Sequence, residues 1–236
     1  MKMFVRLFLV FGFIALLAGP AALAADQKNV FRFHVNYFMP SGDLTVSEAF
    51  EEDLDGDGTV DTLALTQKAE YDSAFGFGIE YEYMASDLIG LDFGLKYIKP
   101  DIKLNESGTF NDEPFTLAEI KEGGEFMPLT AGLMFHLGDS DRLDFYLGPE
   151  LAYIMYGDLT FTDPFFGEET KIKFNDEFTF GAKLGLDFFL DESWAISAQA
   201  EYLDASSEVD TDEADDLSVN LDPSPFILTF GVAYKF

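Results

Sequence analysis

Cysteine is absent from this 236-residue chain, and basic side chains are scarce, with 14 Lys and Arg against 44 Asp and Glu. Stability must therefore come from something other than disulfides, which fits an exported envelope protein. The formal charge of −30 excludes nucleic acid as a partner, because a phosphate backbone needs a basic surface. It also disfavours tight adhesion to bare anionic lipid, and leaves cations or cation-bridged surfaces as partners. Only two histidines are present, which limits the catalytic arrangements open to the chain. Beyond the first 24 residues no stretch approaches the roughly 18 consecutive apolar residues of a spanning helix. The length allows one sizeable domain or two small ones, with a core able to fold without staples.

The first 24 residues read as a secretory signal peptide. Lys2 and Arg6 form a positive start, Leu7 to Leu17 is a nearly unbroken apolar run, and Ala22-Leu23-Ala24 supplies small residues at a cleavage site. The mature domain is expected over 25–236.

What the chain has in abundance is aromatic residues in alternation, 27 Phe and 10 Tyr. In the segment 71–83, Tyr71, Phe75, Phe77, Ile79, Tyr81 and Tyr83 fall on one face, interrupted by Ser73. Asp72, Ala74, Gly76, Gly78, Glu80 and Glu82 fall on the other. Successive strand side chains point to opposite sides, so this is a strand with one greasy and one polar or small face. The pattern recurs over 31–39, 88–98, 127–137, 143–155, 174–190, 194–202 and 226–236, which makes eight strands of 9 to 17 residues. Soluble strands are mostly about five or six residues long, whereas crossing a bilayer at a tilt takes about 9–11.

A soluble β-sandwich also alternates, but its polar face meets water. Here that face carries Ala74, Gly76, Gly78, Gly90, Gly94, Gly181, Gly185 and Gly231, small residues suited to the bore of a narrow barrel. The large aromatics crowd the other face, where lipid accepts them. Short connections at 85–87, 138–142 and 191–193 alternate with long polar segments at 40–67, 99–125, 157–172 and 203–224. The expectation is an all-β fold: an eight-stranded antiparallel transmembrane up-and-down β-barrel with short periplasmic turns and long extracellular loops. Closing the sheet satisfies every backbone group in lipid.

Three hairpins and the last strand carry a resemblance. The segments FGAKLGLDFFLDESWAISAQAEYLD (180–204), LTAGLMFHLGDSDRLDFYLGPELAY (129–153) and IEYEYMASDLIGLDFGLKY (79–97), with GVAYKF closing at Phe236, are similar to the outer membrane protein W family. The chain departs from that family in lacking a His after Lys99-Pro100 and in carrying Pro149. The resemblance implies a Gram-negative outer-membrane barrel with a narrow, largely apolar channel that passes small hydrophobic molecules. It also implies that the outer-membrane assembly machinery reads the strand ending in Phe236, and that lipid and lipopolysaccharide surround the barrel. The alternative is a structural or interaction barrel with no open pore, its acidic extracellular loops bridged by cations.

By parity, charged residues point inward: Arg32, His34, Glu80, Glu82, Asp92, Lys96, His136, Glu150, Lys183 and Asp187, with Asp72, Glu177, Glu201 and Lys235 on the same faces. An unpaired charge in a confined interior is costly, so these either form a salt-bridged plug or a polar constriction below an apolar vestibule. Catalysis is not expected. Neither His34 nor His136 has a serine placed for nucleophilic chemistry, and both read as interior hydrogen-bonding residues. Phe110, Phe115, Phe165 and Phe166 are the loop residues suited to contact an apolar solute or to sit in an aromatic belt.

One loop has its own pattern. Asp53, Asp55, Asp57 and Asp61, with Gly58 and the Thr59 carbonyl, have the spacing of a calcium loop. Ala64 occupies the position where an EF-hand needs a bidentate Glu, so an EF-hand is excluded. A weak extracellular calcium site and a solvated acidic turn remain, and no cofactor is required by either.

Overall fold

The structure is a computed structural model that describes residues 29–52, 61–111, 113–137, 142–162, 169–205, 207–211, 219–221 and 223–236. The chain makes four excursions of the same form. It rises as β1 (Asn29–Met39), passes through a hairpin of β2 (Asp43–Glu52) and β3 (Asp61–Tyr71), and descends as β4 (Ala74–Ser86). It rises again as β5 (Ile89–Ile98), turns through β6 (Asp101–Phe110) and β7 (Glu113–Gly123), and descends as β8 (Phe126–His136). The third excursion is β9 (Leu143–Tyr156), β10 (Leu159–Thr162), β11 (Glu169–Phe174) and β12 (Glu177–Phe189). The fourth is β13 (Trp194–Leu203), β14 (Ser207–Thr211), β15 (Val219–Leu221) and β16 (Phe226–Lys235).

The eight long strands close into an antiparallel barrel in the order β1-β16-β13-β12-β9-β8-β5-β4. Closure is direct: Asn29 to Phe38 of β1 pair with Tyr83 to Ala74 of β4, leaving no open edge in the barrel wall. Period two then sorts the side chains. In β1, Val30, Arg32, His34, Asn36 and Phe38 are buried, while Phe31, Phe33 and Val35 are exposed. The same division puts Phe77, Leu151, Phe180, Ile196 and Phe230 on the outside, a belt of apolar surface that only lipid covers without aggregation.

One end of the barrel is short. Its turns are brief, and the barrel's two chain ends meet there, with Asn29 N donating to Phe236 O at 2.9 Å and Phe236 N to Asn29 O at 3.0 Å. In the turn after β12, the Asp191 carboxylate accepts the Trp194 N–H at 2.7 Å and the Ser193 N–H at 2.8 Å. Those donors hold its carboxyl below the usual range.

The opposite end departs from expectation. The long polar segments do not read as strands in the sequence, yet much of them is β-structure. The strands β2-β3-β6-β7 form one four-stranded sheet and β10-β11-β14-β15 another. The reason is geometric: β4 and β5 are already paired, so the strands feeding and leaving them (β3 and β6) are delivered side by side.

The strands predicted over 71–83 and 174–190 are also broken. Tyr71, expected on the greasy face, is 7% exposed, whereas Phe75 is 73% exposed. The two-residue interruption Asp72-Ser73 flips the side on which odd positions fall, and Asn175-Asp176 does the same between β11 and β12. Asp72 therefore leaves the bore. It lies half-buried at the junction of hairpin sheet and barrel, where Lys103 Nζ donates at 2.6 Å and Lys121 Nζ at 3.1 Å. These ammonium groups, Lys103 foremost, hold its carboxyl below the ordinary carboxylate range.

Candidate functional site

The bore is filled in layers. At the short-turn end Val30, Phe189, Ala195 and Ala233 form a small apolar floor. Lys235 lies over the Phe189 ring at 4.9 Å, half-buried rather than inside.

Above the floor lies a charged waist. Every inward charge expected over the central strands is 3% exposed or less: Arg32, His34, Glu80, Glu82, Asp92, Lys96, His136, Glu150, Lys183 and Asp187. Arg32 Nη2 bridges Glu82 at 2.7 Å and Asp187 at 2.8 Å, with Nε on the same Asp187 oxygen at 3.1 Å. Lys183 reaches across to Asp92 at 2.7 Å and Glu80 at 2.9 Å, with Glu150 at 3.4 Å. Lys96 sits 2.6 Å from Glu201 and 3.2 Å from Glu80. His136 places Nε2 2.7 Å from Glu82 and Nδ1 2.9 Å from Asp144. His34 is held by the Asn36 side-chain oxygen at 2.9 Å, with Glu80 at 3.5 Å. Partners on opposite strands close the bore with charge-assisted bonds, the arrangement that makes a buried charge tolerable.

Small inward residues make room for this network. A Cβ on Gly90 would fall 2.0 Å from Glu82 Oε1, and one on Gly185 would fall 2.2 Å from the Tyr146 ring. That ring is a member the sequence reading missed. Arg32 lies over it at 4.6 Å, and Gln199 Nε2 donates to its hydroxyl at 2.9 Å and to Glu80 at 2.7 Å. Parity alone places Tyr146 on the inward face, but expecting small residues there hides a large one.

The third layer, toward the hairpins, is apolar. Phe38, Tyr71, Ile98, Ile102, Phe126, Ala152, Ile154, Tyr156, Phe174, Leu203, Ala205 and Ile227 form one buried cluster. Phe126 links two neighbouring rings, 5.0 Å from Phe38 and 5.7 Å from Tyr156. The wall beside this cap is unzipped. The β5–β8 ladder runs from Ile89↔Phe135 to Leu95↔Leu129 and resumes only at Ile98↔Phe126. Pro128 lies in the gap, and a proline has no N–H to give β5. A second gap, between β8 and β9 from Gly132↔Glu150 to Phe135↔Leu147, contains Pro149. Both interruptions flank β8.

Among the loop residues, Phe110 is exposed, on the sheet face that Ile102 shares by parity. Phe115 is half-buried and borders a cavity of about 530 Å³, lined also by Thr66, Ser107, Thr109 and Thr116. Phe165 and Phe166 lie outside the described residues, as do Asp53, Asp55, Asp57 and Thr59. Asp61 begins β3. Among the described residues no group of three or more His, Asp or Glu is arranged to hold a metal ion. Glu177 is half-buried at the loop-side start of β12, away from the waist.

Comparison with known proteins agrees with this architecture. The family model described as "Outer membrane protein beta-barrel domain" matches residues 11–236. Outer membrane protein W of Salmonella typhi is 25% identical over 208 residues, covering 85% of this chain and 88% of the relative. The crystal structure of the outer membrane protein OprG from Pseudomonas aeruginosa superposes with a TM-score of 0.61 at 19% identity, covering 89% of this chain and 96% of that one. The outer membrane protein AlkL, solved in DMPC lipid bilayers, gives 0.52 at 18% identity, over 89% and 90%.

Proposed function

This chain belongs to the outer membrane protein beta-barrel domain family, a non-enzymatic family, and from that premise we propose that it gives small hydrophobic molecules a passive path into the outer membrane. The observation that carries the proposal is the apolar cap stacked on a charged waist, with the wall beside the cap unzipped at Pro128. An apolar solute entering from the hairpin end meets residues it can replace, because packing without hydrogen bonds yields to another apolar group. It cannot pass the waist, where it would have to separate buried charge pairs at a cost that contact with an apolar solute does not repay. The β5–β8 gap is the nearest way out, and it leads sideways into lipid.

In this reading the hairpin sheets face outward and the short turns, with both chain ends, face the periplasm. The strand ending in Phe236 is what the assembly machinery reads, and lipopolysaccharide surrounds the aromatic belt. Residues 1–24 are removed on export.

The filled waist favours a second reading, a structural barrel with no open pore whose acidic loops are bridged by cations. Solute uptake separates the two. Vesicles carrying the purified protein should take up a small apolar solute faster than protein-free vesicles, and equal rates would sink the transport reading.

A further inference from the structure

The apolar cap has an order of its own. Five of its buried members carry rings, and these form one unbroken row: Tyr71, Phe38, Phe126, Tyr156 and Phe174. Ring centroids lie 6.4 Å apart from Tyr71 to Phe38, 5.0 Å from Phe38 to Phe126, 5.7 Å from Phe126 to Tyr156 and 6.1 Å from Tyr156 to Phe174. The barrel places β4 and β5 between β1 and β8, so Phe38 and Phe126 meet across the bore rather than between neighbouring strands. Two of these contacts are edge-on, at 75° for Tyr71 with Phe38 and 72° for Phe126 with Tyr156. An aromatic ring has a negative face and a positive edge, so edge-to-face pairs gain an attraction that apolar area alone does not supply.

The row reaches the gap in the wall. Phe126 is where the β5–β8 ladder resumes after its interruption, in register with Ile98. Among the residues that the ladder skips are Tyr97 of β5 and Met127 of β8, both half-buried on the alternate, outward positions of their strands. The Tyr97 ring is 5.6 Å from that of Phe77, and Met127 lies opposite Met155 in the β8–β9 register. Thioether sulfur is attracted to the edges of rings. Both sides of the gap therefore carry groups that interact with a ring as a ring.

We infer that the cap is a binding site for flat aromatic hydrocarbons in preference to saturated ones of the same size, and that Phe126 sets the preference. A planar ring entering the row can replace one of its members and keep an edge or a face toward each neighbour. A cycloalkane with the same carbon skeleton fills the same space and offers area alone. Phe126 is the decisive member, because it touches both Phe38 and Tyr156 and stands at the edge of the gap. The inference rests on the proposed function only for the solute's access to the cap. It concerns which solute is held there, and binding can be read without transport.

The test uses the mature protein in nanodiscs, with its isoleucine δ1 methyl groups labelled for NMR. The probes are toluene and methylcyclohexane, which share one carbon skeleton. The cap contains Ile98, Ile102, Ile154 and Ile227, so their methyl signals report filling of the site. Affinity is read from the probe concentration in the bilayer at half-saturation, because the size of a ring-current shift does not measure binding. The expected result is saturable binding of both probes, tighter for toluene by about two- to tenfold.

Phe126→Leu keeps an apolar group and removes the ring, and should bring the two affinities level. Ile154→Val removes a methylene outside the row and should weaken both probes alike, leaving their ratio unchanged. If Phe126→Leu does not fold, Tyr156→Leu breaks the same row and serves in its place. Equal affinities in wild type, or a ratio that survives loss of the ring, would overturn the inference. Vesicle uptake of the same two probes keeps this apart from the transport reading. A toluene preference in binding, with neither probe taken up faster than by protein-free vesicles, would contradict transport and leave the site standing. Equal binding with faster uptake of both would do the reverse.

Discussion

The waist and the cap of the bore are adjacent layers built from opposite materials. In the waist every long side chain has an assigned partner on another strand, and Arg32, Lys96 and Lys183 each reach two or more carboxylates. In the cap, Phe38, Ile98, Phe126, Ile154 and Leu203 meet through area alone. A paired charge has one good arrangement and a large penalty for losing it, whereas an apolar contact can be exchanged for another at small cost. The waist is therefore the fixed partition of the barrel and the cap its adaptable part.

Substitutions that keep shape but change chemistry should separate the layers most strongly. Arg32→Met leaves Asp187 buried without its cation and Glu82 with His136 alone, and Lys183→Met takes the closest cation from Asp92 and leaves Glu80 to Lys96. Each should cost about 3–5 kcal/mol, read by denaturant unfolding with the single tryptophan, Trp194, as reporter. In the cap, Ile154→Leu conserves volume and should cost less than about 1.5 kcal/mol. Equal costs in the two layers would erase the distinction.

Solute movement should respond in the opposite order. Truncating the cap with Phe126→Ala should raise apolar-solute uptake, although it also destabilises the barrel by about 3–5 kcal/mol. Gln199→Leu removes two waist hydrogen bonds, to Glu80 and to the Tyr146 hydroxyl, and should leave uptake unchanged.

The smallest effect lies at the junction of hairpin sheet and barrel. Because Lys103 and Lys121 depress the Asp72 carboxyl, the stability it contributes is complete above the unfolded carboxylate value of about 3.9. That contribution is lost as pH falls through the lower folded value. Wild type should exceed Asp72→Asn by at most about 1 kcal/mol at pH 6, after solvent screening. The two melting curves should converge on acidification.

How much of this was legible in the sequence depends on whether period two was interrupted. The eight strands, the inward charges and most of the lipid-facing aromatics follow from one parity rule, although Tyr81 in β4 and Met155 in β9 are buried out of turn. Parity misplaced Tyr71 because Asp72-Ser73 reverses it while leaving an aromatic in step with Phe75. The hairpin sheets were hidden because their pairing is imposed by the barrel strands beneath, not by an apolar stripe of their own. The specific partners in the waist, and the role of Tyr146, depend on which strands face each other across the bore. Local sequence does not encode that. The proline gaps were visible only as Pro128 and Pro149; their meaning needed the register on either side.

The central claim is that apolar solutes use the cap and leave beside Pro128, above the sealed waist. The most direct test is uptake of a small apolar solute and of a polar solute of the same size, by vesicles carrying wild type or Pro128→Val. Valine restores an N–H that can close the β5–β8 ladder. The account predicts apolar uptake above protein-free vesicles, a clear drop with Pro128→Val, and exclusion of the polar solute by both proteins. Uptake of the polar solute at a comparable rate, or apolar uptake indifferent to Pro128→Val, would contradict it.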